Sequence, residues 1–236
     1  MPYKKLGLKC GIEIHQQLEG KKLFCGCPTT IRDDLPDFSI RRKMRAVAGE
    51  SGKIDVAAAQ EQLRDKAFVY EGYENTTCLV ETDSEPPHEL NENSAYITLQ
   101  FCKMVNADIS QIIQVMRKTV VDGSNTSGFQ RTVMIARDGY VETNLGKVGI
   151  ESIFLEEDSA RTISKDKNSS VYRLDRLGIP LVEITTMPDI KTPEQAKEVA
   201  LKIGEILRSS KVKRGIGTIR QDINISIKGS NRVELK

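Results

Sequence analysis

The stretch LGLKCGIEIHQQ, residues 6–17, has a cleanly alternating pattern that predicts a β-strand. Its apolar residues recur at every second position, and polar residues occupy most positions between them. A period of two is typical of a β-strand that buries one face and leaves the other polar. The polar face of this strand carries Glu13 and His15, so a carboxylate lies beside an imidazole.

Beyond this stretch, the sequence contains both helix and strand patterns. Apolar spacings of three and four residues predict helices at 55–67, 93–105 and 192–208, the last starting with the capping sequence TPEQ. Alternating or β-branched segments predict six further strands, at 112–121, 129–136, 148–158, 171–176, 181–186 and 219–227.

The connections favour a particular fold class. Residues 19–53 are rich in Gly, Pro and charge and predict a long loop, and Asp138-Gly139 predicts a hairpin turn. Because strands and helices do not alternate regularly, we expect an α+β fold with a largely antiparallel sheet. The pattern stops in mid-strand at Lys236, so we expect a fragment of a longer protein.

Composition excludes several classes of protein. No apolar run approaches the roughly 20 residues that a bilayer requires, so we expect no membrane contact. The chain has 35 basic and 33 acidic residues, so any contact with nucleic acid must come from a local patch. Five cysteines, an odd number, and no export signal at the N-terminus indicate free thiols or a metal site in the reducing cytoplasm.

Acidic residues on several predicted strands suggest a binding site for a hard cation. The candidates are carboxylates and one imidazole on or beside polar strand faces: Glu13, His15, Glu156, Glu157, Asp158 and Glu183. Such a set suits Mg²⁺ that holds nucleotide phosphates better than it suits Zn²⁺. For each residue taken alone, a solvated carboxylate or a hydrogen-bonded core histidine is the common alternative.

The usual phosphate-binding motifs are absent from the sequence. There is no G-x-x-x-x-G-K-[ST] loop, no G-x-G-x-x-G fingerprint and no G-x-S-x-G elbow. The stretch GSNTSG at 123–128, with Ser124 and Ser127, is a candidate for cofactor binding through its backbone N–H groups. The alternative is an ordinary turn.

The cysteines divide into two groups. Cys25 and Cys27 form a C-x-C pair to which Cys78 and Glu81 could add a third and a fourth zinc ligand. The remaining two thiols, Cys10 and Cys102, fit buried inert positions.

The motifs taken together resemble a known family, the kinase/transamidase (B/E) subunits of tRNA-dependent amidotransferases. Six motifs occur in the family's order: GIEIHQQL (11–18), KLFCGC (22–27), LEED (155–158), LDRLGIPLVE (174–183), PDIKTPE (188–194) and IRQDINIS (219–226). The stretches EPP (85–87) and VDGSNTSGFQR (121–131) are similar to the archaeal E type. The B type often has C-x-x-C where this chain has Cys78 and Glu81.

This resemblance implies a fold and a metal site. The fold would be a curved, largely antiparallel sheet with helices, related to the cradle of glutamine synthetase and guanidino kinases and covering residues 1–236. The inserted and C-terminal tRNA-binding domains of the family would be missing. ATP and Mg²⁺ would be bound, with the metal-binding positions at His15, Glu157 and Glu183 and with Glu13 beside them.

The resemblance also implies a reaction. The γ-carboxylate of glutamate esterified to tRNA(Gln) is phosphorylated by ATP, and ammonia then attacks the acyl phosphate. Glu13 and Glu157 would act at the catalytic centre, and Arg176 and Arg220 would clamp phosphate, because guanidinium binds phosphate bidentately. Structural salt bridges are the alternative for both arginines.

The family further implies partners. Ammonia would come from an asparaginase-like glutaminase partner of the D type, so a hetero-oligomer that binds glutamyl-tRNA(Gln) is expected. Two other functions stay open: a non-catalytic scaffold that binds tRNA or a partner through the same fold, and a ligase that amidates free glutamate.

Overall fold

The alternating N-terminal segment forms the central strand of a large sheet. The computed structural model describes residues 2–49 and 51–236. Its strands are β1 (Lys9–Gln17), β2 (Phe38–Arg42), β3 (Ala67–Gly72), β4 (Asp108–Ile109), β5 (Val115–Thr119), β6 (Phe129–Thr143), β7 (Gly146–Glu157), β8 (Arg161–Lys165), β9 (Ser169–Arg173), β10 (Pro180–Thr186), β11 (Ile219–Ser226) and β12 (Val233–Leu235). Its helices are α1 (Pro2–Lys5), α2 (Val56–Gln62), α3 (Glu92–Met104) and α4 (Pro193–Arg208).

The strands form two sheets. The larger has the order β12-β11-β1-β10-β7-β6-β4, with β5 also paired to β6, and every pairing in it is antiparallel. The smaller has the order β2-β3-β9-β8, and its central pair β3–β9 is parallel. The prediction of an α+β fold with a largely antiparallel sheet is therefore confirmed.

Helices cover one face of the large sheet. The helix α4 begins as its sequence predicts: the Thr192 side chain accepts a hydrogen bond from the Gln195 backbone N–H, and Pro193 follows the cap. Its buried stripe, which includes Val199 and Ile203, packs in the same core as the apolar face of β1. Because β1 buries this face, its alternate side chains must point to the other side of the sheet.

A second, smaller core joins the two sheets. Phe68, Tyr70 and Tyr172 from the small sheet pack together. The Tyr70 hydroxyl donates to the backbone oxygen of Gly123, and the Tyr172 hydroxyl donates to that of Asp122. The segment between β5 and β6 is thereby fixed on the small sheet.

Two predictions in the first third of the chain were only partly correct. The expected loop at 19–53 contains β2, a short strand with the sequence FSIRR. The expected helix at 55–67 ends at Gln62, and Ala67 already begins β3. The apolar spacing that suggested the longer helix does not mark a buried face, since Val56 and Leu63 are both exposed.

The expected hairpin at Asp138-Gly139 was wrong. The strand β6 continues through both residues, and Asp138 adopts a φ of 55° within it. The turn to β7 instead lies between Thr143 and Gly146. The sequence Asp-Gly tolerates a positive φ. An irregularity within a strand can need such a φ just as a turn can, so the dipeptide does not distinguish the two.

We expect Ile203→Ala to destabilise the chain far more than Leu201→Ala on the same helix. Ile203 is fully buried between α4 and the sheet, whereas Leu201 is 52% exposed. The first change should lower the free energy of unfolding by about 2–5 kcal/mol, because it leaves a cavity. The second should change it by about 0.5 kcal/mol or less. Urea unfolding followed by circular dichroism would measure both, and equal losses would contradict the packing of α4.

Candidate functional site

A row of charged side chains crosses the face of the large sheet that the helices leave open. Glu13 and His15 lie on this face of β1. The register places Glu183 of β10 opposite His15 on one side and Arg220 of β11 opposite it on the other. Glu156 of β7 joins the same row from the next strand. We call Glu13, His15, Glu156 and Glu183 the acidic row.

Three members of the acidic row lie within reach of one common ion, and the fourth, Glu156, lies next to His15. His15 Nε2 is 3.5 Å from Glu13 Oε1, 3.5 Å from Glu183 Oε2 and 4.0 Å from Glu156 Oε1. One donor atom each from Glu13, His15 and Glu183 lies within 4.8 Å of the others. A set dominated by carboxylate oxygens suits Mg²⁺ or Mn²⁺.

A lysine that the sequence analysis did not single out contacts this row. Lys118 Nζ of β5 is 3.1 Å from Glu156 Oε2 and 3.5 Å from Glu183 Oε2. Every residue of β5 is exposed, so no burial pattern marks which of its side chains face the site. The sequence predicts a strand that contains both Arg117 and Lys118, but its pattern does not indicate which of the two faces the site.

The charges within the row shift one another's pKa values. Burial lowers the pKa of His15, but the hydrogen bond and charge of Glu183, together with the charges of Glu156 and Glu13, raise the pKa overall. Burial and the nearby charge of Glu183 raise the pKa of Glu156. Glu183 itself keeps a lowered pKa despite its burial, because His15 and Lys118 stabilise its ionised form.

The structure does not bring Glu157 into the acidic row. Adjacent residues of a strand point to opposite faces, so Glu157 lies on the side opposite to Glu156. There its carboxylate accepts hydrogen bonds from the backbone N–H of Arg131 at 3.2 Å and from the guanidinium of that residue at 3.3 Å. Burial raises the pKa of Glu157, and Arg131 opposes that rise. Glu156 thus occupies the position that we expected for Glu157.

The two arginines predicted to clamp phosphate both contact Asp158. Arg220 Nη2 is 3.4 Å from Asp158 Oδ1, and Arg176 Nε is 3.8 Å from the same atom. Arg176 also donates to the backbone oxygens of Ser159 and Ala160, so it braces the chain after β7. Arg220 stays 47% exposed beside His15 and is the better placed of the two to meet an anion.

The stretch 123–128 is a turn that its own hydrogen bonds hold in place. The Ser124 hydroxyl donates to the Asp122 carboxylate, and the Ser127 hydroxyl donates to the backbone oxygen of Phe129. Gly123 has a φ of 82°, and a Cβ on it would lie 2.2 Å from the Phe68 ring. Both serine side chains are thus engaged within the chain, which leaves only backbone groups for the predicted contact with a cofactor.

The four predicted zinc-ligating residues lie together. Donor atoms of Cys25, Cys27, Cys78 and Glu81 are within 4.8 Å of one another, and we call them the thiol cluster. The hydrogen bond with Cys25 lowers the pKa of Cys27 to about 7. Lys22, which is fully buried, lies with its Nζ 3.2 Å from Glu81 Oε1. Three sulfurs and one carboxylate oxygen at this spacing fit a tetrahedral zinc ion.

All five thiols are free, as the sequence predicts. The two outside the thiol cluster, Cys10 and Cys102, are buried in the main core, which confirms their predicted place.

A cavity lies on the other side of β5 from the acidic row. It has a volume of about 970 Å³ and lies between β5 and the segment 43–68. Arg117 and Thr119 line it, whereas Lys118 between them reaches the acidic row. The cavity and the acidic row are therefore separate features, and the acidic row, with its closely spaced carboxylates and imidazole, is the stronger candidate for a catalytic centre.

None of the helices in the described residues combines the length and the apolar character that a membrane crossing requires.

Comparison with known proteins places this geometry in a family. Residues 8–236 match the family described as the GatB/GatE catalytic domain. The E subunit of the glutamyl-tRNA(Gln) amidotransferase of Methanocaldococcus jannaschii is 58% identical over 236 residues, which cover 99% of this chain and 38% of that protein.

Two further relatives give the same result. The corresponding E subunit of Methanococcus maripaludis is 54% identical over 99% of this chain and 37% of its own length. That of Methanothermobacter thermautotrophicus is 53% identical over 100% of this chain and 38% of its own length. The chain thus spans less than two-fifths of the relatives that it matches, and within that span it belongs to the GatB/GatE catalytic domain family.

Proposed function

We propose that this chain is the ATP-dependent catalytic domain of an amidotransferase that converts glutamate on tRNA(Gln) into glutamine. The observation that carries the proposal is the convergence of His15 with Glu13, Glu183 and Glu156 from three adjacent strands. The names of the relatives support the substrate, since each belongs to a glutamyl-tRNA(Gln) amidotransferase.

The reaction needs what this face of the sheet offers. A carboxylate is a poor electrophile, so the γ-carboxylate of glutamate first attacks the γ-phosphate of ATP, and ADP leaves. Ammonia then displaces phosphate from the acyl phosphate and gives the amide. Phosphoryl transfer is catalysed mainly by positioning and charge neutralisation.

Each group of the site has a role in this proposal. Glu13, His15 and Glu183, with Glu156, would hold Mg²⁺, and the ion when bound neutralises charge on the ATP phosphates. Arg220 lies on β11, next to β1, and would contact a phosphate of ATP. Its guanidinium would be oriented by Asp158.

Partners and compartment follow from the same proposal. Ammonia would come from an asparaginase-like glutaminase partner of the D type, in a hetero-oligomer that also binds glutamyl-tRNA(Gln). The five free thiols suit the reducing cytoplasm.

The thiol cluster would hold a structural zinc ion. It lies beside the turn 123–128, because the Thr126 hydroxyl donates to the backbone oxygen of Glu81. A bound ion would therefore tie the segment 22–27 to the segment 78–81, to which Thr126 holds the turn that follows β5.

Two other functions compete with this proposal. A non-catalytic scaffold of the same fold has no use for four ionisable side chains that converge on one point, and it would bind tRNA without needing ATP. A ligase for free glutamate would form glutamine without tRNA. Both are tested by comparing glutamyl-tRNA(Gln) with free glutamate as the substrate of the assembled amidotransferase.

Histidine substitutions give the first test. We expect ATP to bind this chain only with Mg²⁺, and His15→Ala to abolish that binding, because the imidazole lies at the centre of the acidic row. His88→Ala is the matched control, since His88 is exposed and its ring contacts Glu85 away from the row. Calorimetric titration measures both. Binding that persists in His15→Ala, or is lost equally in His88→Ala, would refute the proposed site.

Adjacent glutamates give the second test. Glu156→Gln should weaken Mg²⁺-dependent ATP binding by about tenfold or more, because the Glu156 carboxylate belongs to the acidic row. Glu157→Gln should leave that binding intact and lower stability by about 1–3 kcal/mol, because it weakens the bonds to Arg131. Titration and thermal unfolding measure the two effects. The reverse result would restore Glu157 as the ligand that the family resemblance implies.

Metal analysis tests the thiol cluster. We expect one zinc ion per chain, lost on Cys27→Ser and retained on Glu81→Cys, since a thiolate can replace the carboxylate as fourth ligand. Cys102→Ala should keep the ion, because this thiol lies in the core away from the cluster. Elemental analysis after gel filtration gives the stoichiometry, and an ion-free wild-type chain would refute the assignment.

A further inference from the structure

We propose that Lys118 is an internal cation that occupies the acidic row until a divalent ion displaces it. The inference rests on the proposed metal site and adds a competitor to it. The Lys118 ammonium contacts Glu156 and Glu183 at 3.1 and 3.5 Å, so it takes oxygens that a metal ion would need.

The geometry makes this a direct competition. Glu183 Oε2 is the atom that contacts both Lys118 Nζ and His15 Nε2, each at 3.5 Å. An ion bound between His15 and Glu183 would lie close to the ammonium, and two cations at such a distance repel each other strongly. Binding of the ion therefore requires Lys118 to leave Glu183.

The lysine is free to make that move. Its side chain is 50% exposed and lies on β5, whose five residues are all exposed. Glu156, by contrast, is almost fully buried, with a side chain only 3% exposed. The carboxylate is thus the fixed partner and the ammonium the mobile one.

The exchange has a consequence for ATP. Once displaced, the ammonium needs a new anionic partner, and the phosphates of a nucleotide bound with the metal ion supply one. Lys118 therefore weakens the binding of a metal ion alone and favours the binding of a metal ion together with ATP. In thermodynamic terms, it increases the coupling between the binding of metal and the binding of nucleotide.

Lys118→Met tests the competition with Mn²⁺ alone, measured by calorimetry or electron paramagnetic resonance. We expect this variant to bind Mn²⁺ about tenfold more tightly than the wild-type chain, and Lys118→Arg to resemble the wild type. Lys147→Met is the control for a lost positive charge, because Lys147 is exposed on β7 and contacts Glu142 away from the row. A second readout is the factor by which ATP tightens Mn²⁺ binding, which should be smaller in Lys118→Met than in the wild type.

The outcomes separate the two proposals. Unchanged or weaker Mn²⁺ binding by folded Lys118→Met would overturn the role of Lys118 and leave the metal site standing. Equal tightening in Lys147→Met would also overturn it, because the effect would then come from net charge. If neither the wild type nor Lys118→Met binds Mn²⁺, with or without ATP, the proposed metal site itself fails and the role of Lys118 fails with it.

Discussion

The strict alternation of β1, placed between β10 and β11, is the constraint on which the rest of the structure depends. Its apolar residues can be buried only if α4 covers one face of the sheet. The same alternation then sends Glu13 and His15 to the opposite face, where antiparallel register brings Glu183 and Arg220 beside them. Packing thus fixes the site, and no long loop is needed to assemble it.

Helices and strands that bury one clear face could be predicted from the sequence. The first strand and the helix that begins at Thr192 both have such a face, and the structure contains each of them. The predicted strand at 219–226 is also present, although it is only partly buried. The edge strands β2 and β8 were not predicted, because an edge strand buries little and its sequence is dominated by charge and hydroxyl groups.

The family resemblance implies Glu157 as a metal ligand, whereas the structure places Glu156 in the acidic row. The apolar positions of β7 change parity between Ile150 and Ile153, where the pairing with β10 shifts by one residue. Such a bulge moves every later side chain to the other face, and the change of apolar parity is its mark in the sequence, which puts Glu156 on the face opposite to Leu155. The family motif contains both carboxylates but does not say which of them faces the site.

The pairing of β1 with β11 also determines when the chain can fold during its synthesis. Lys9 pairs with Ser226 and Gln16 with Ile219, so more than 200 residues separate the partners in sequence. During synthesis, β1 therefore waits until about 200 further residues have left the ribosome before its backbone groups are paired on that side. An amphipathic strand stays unpaired on that side during this interval, and slow non-local pairing of this kind exposes a chain to aggregation.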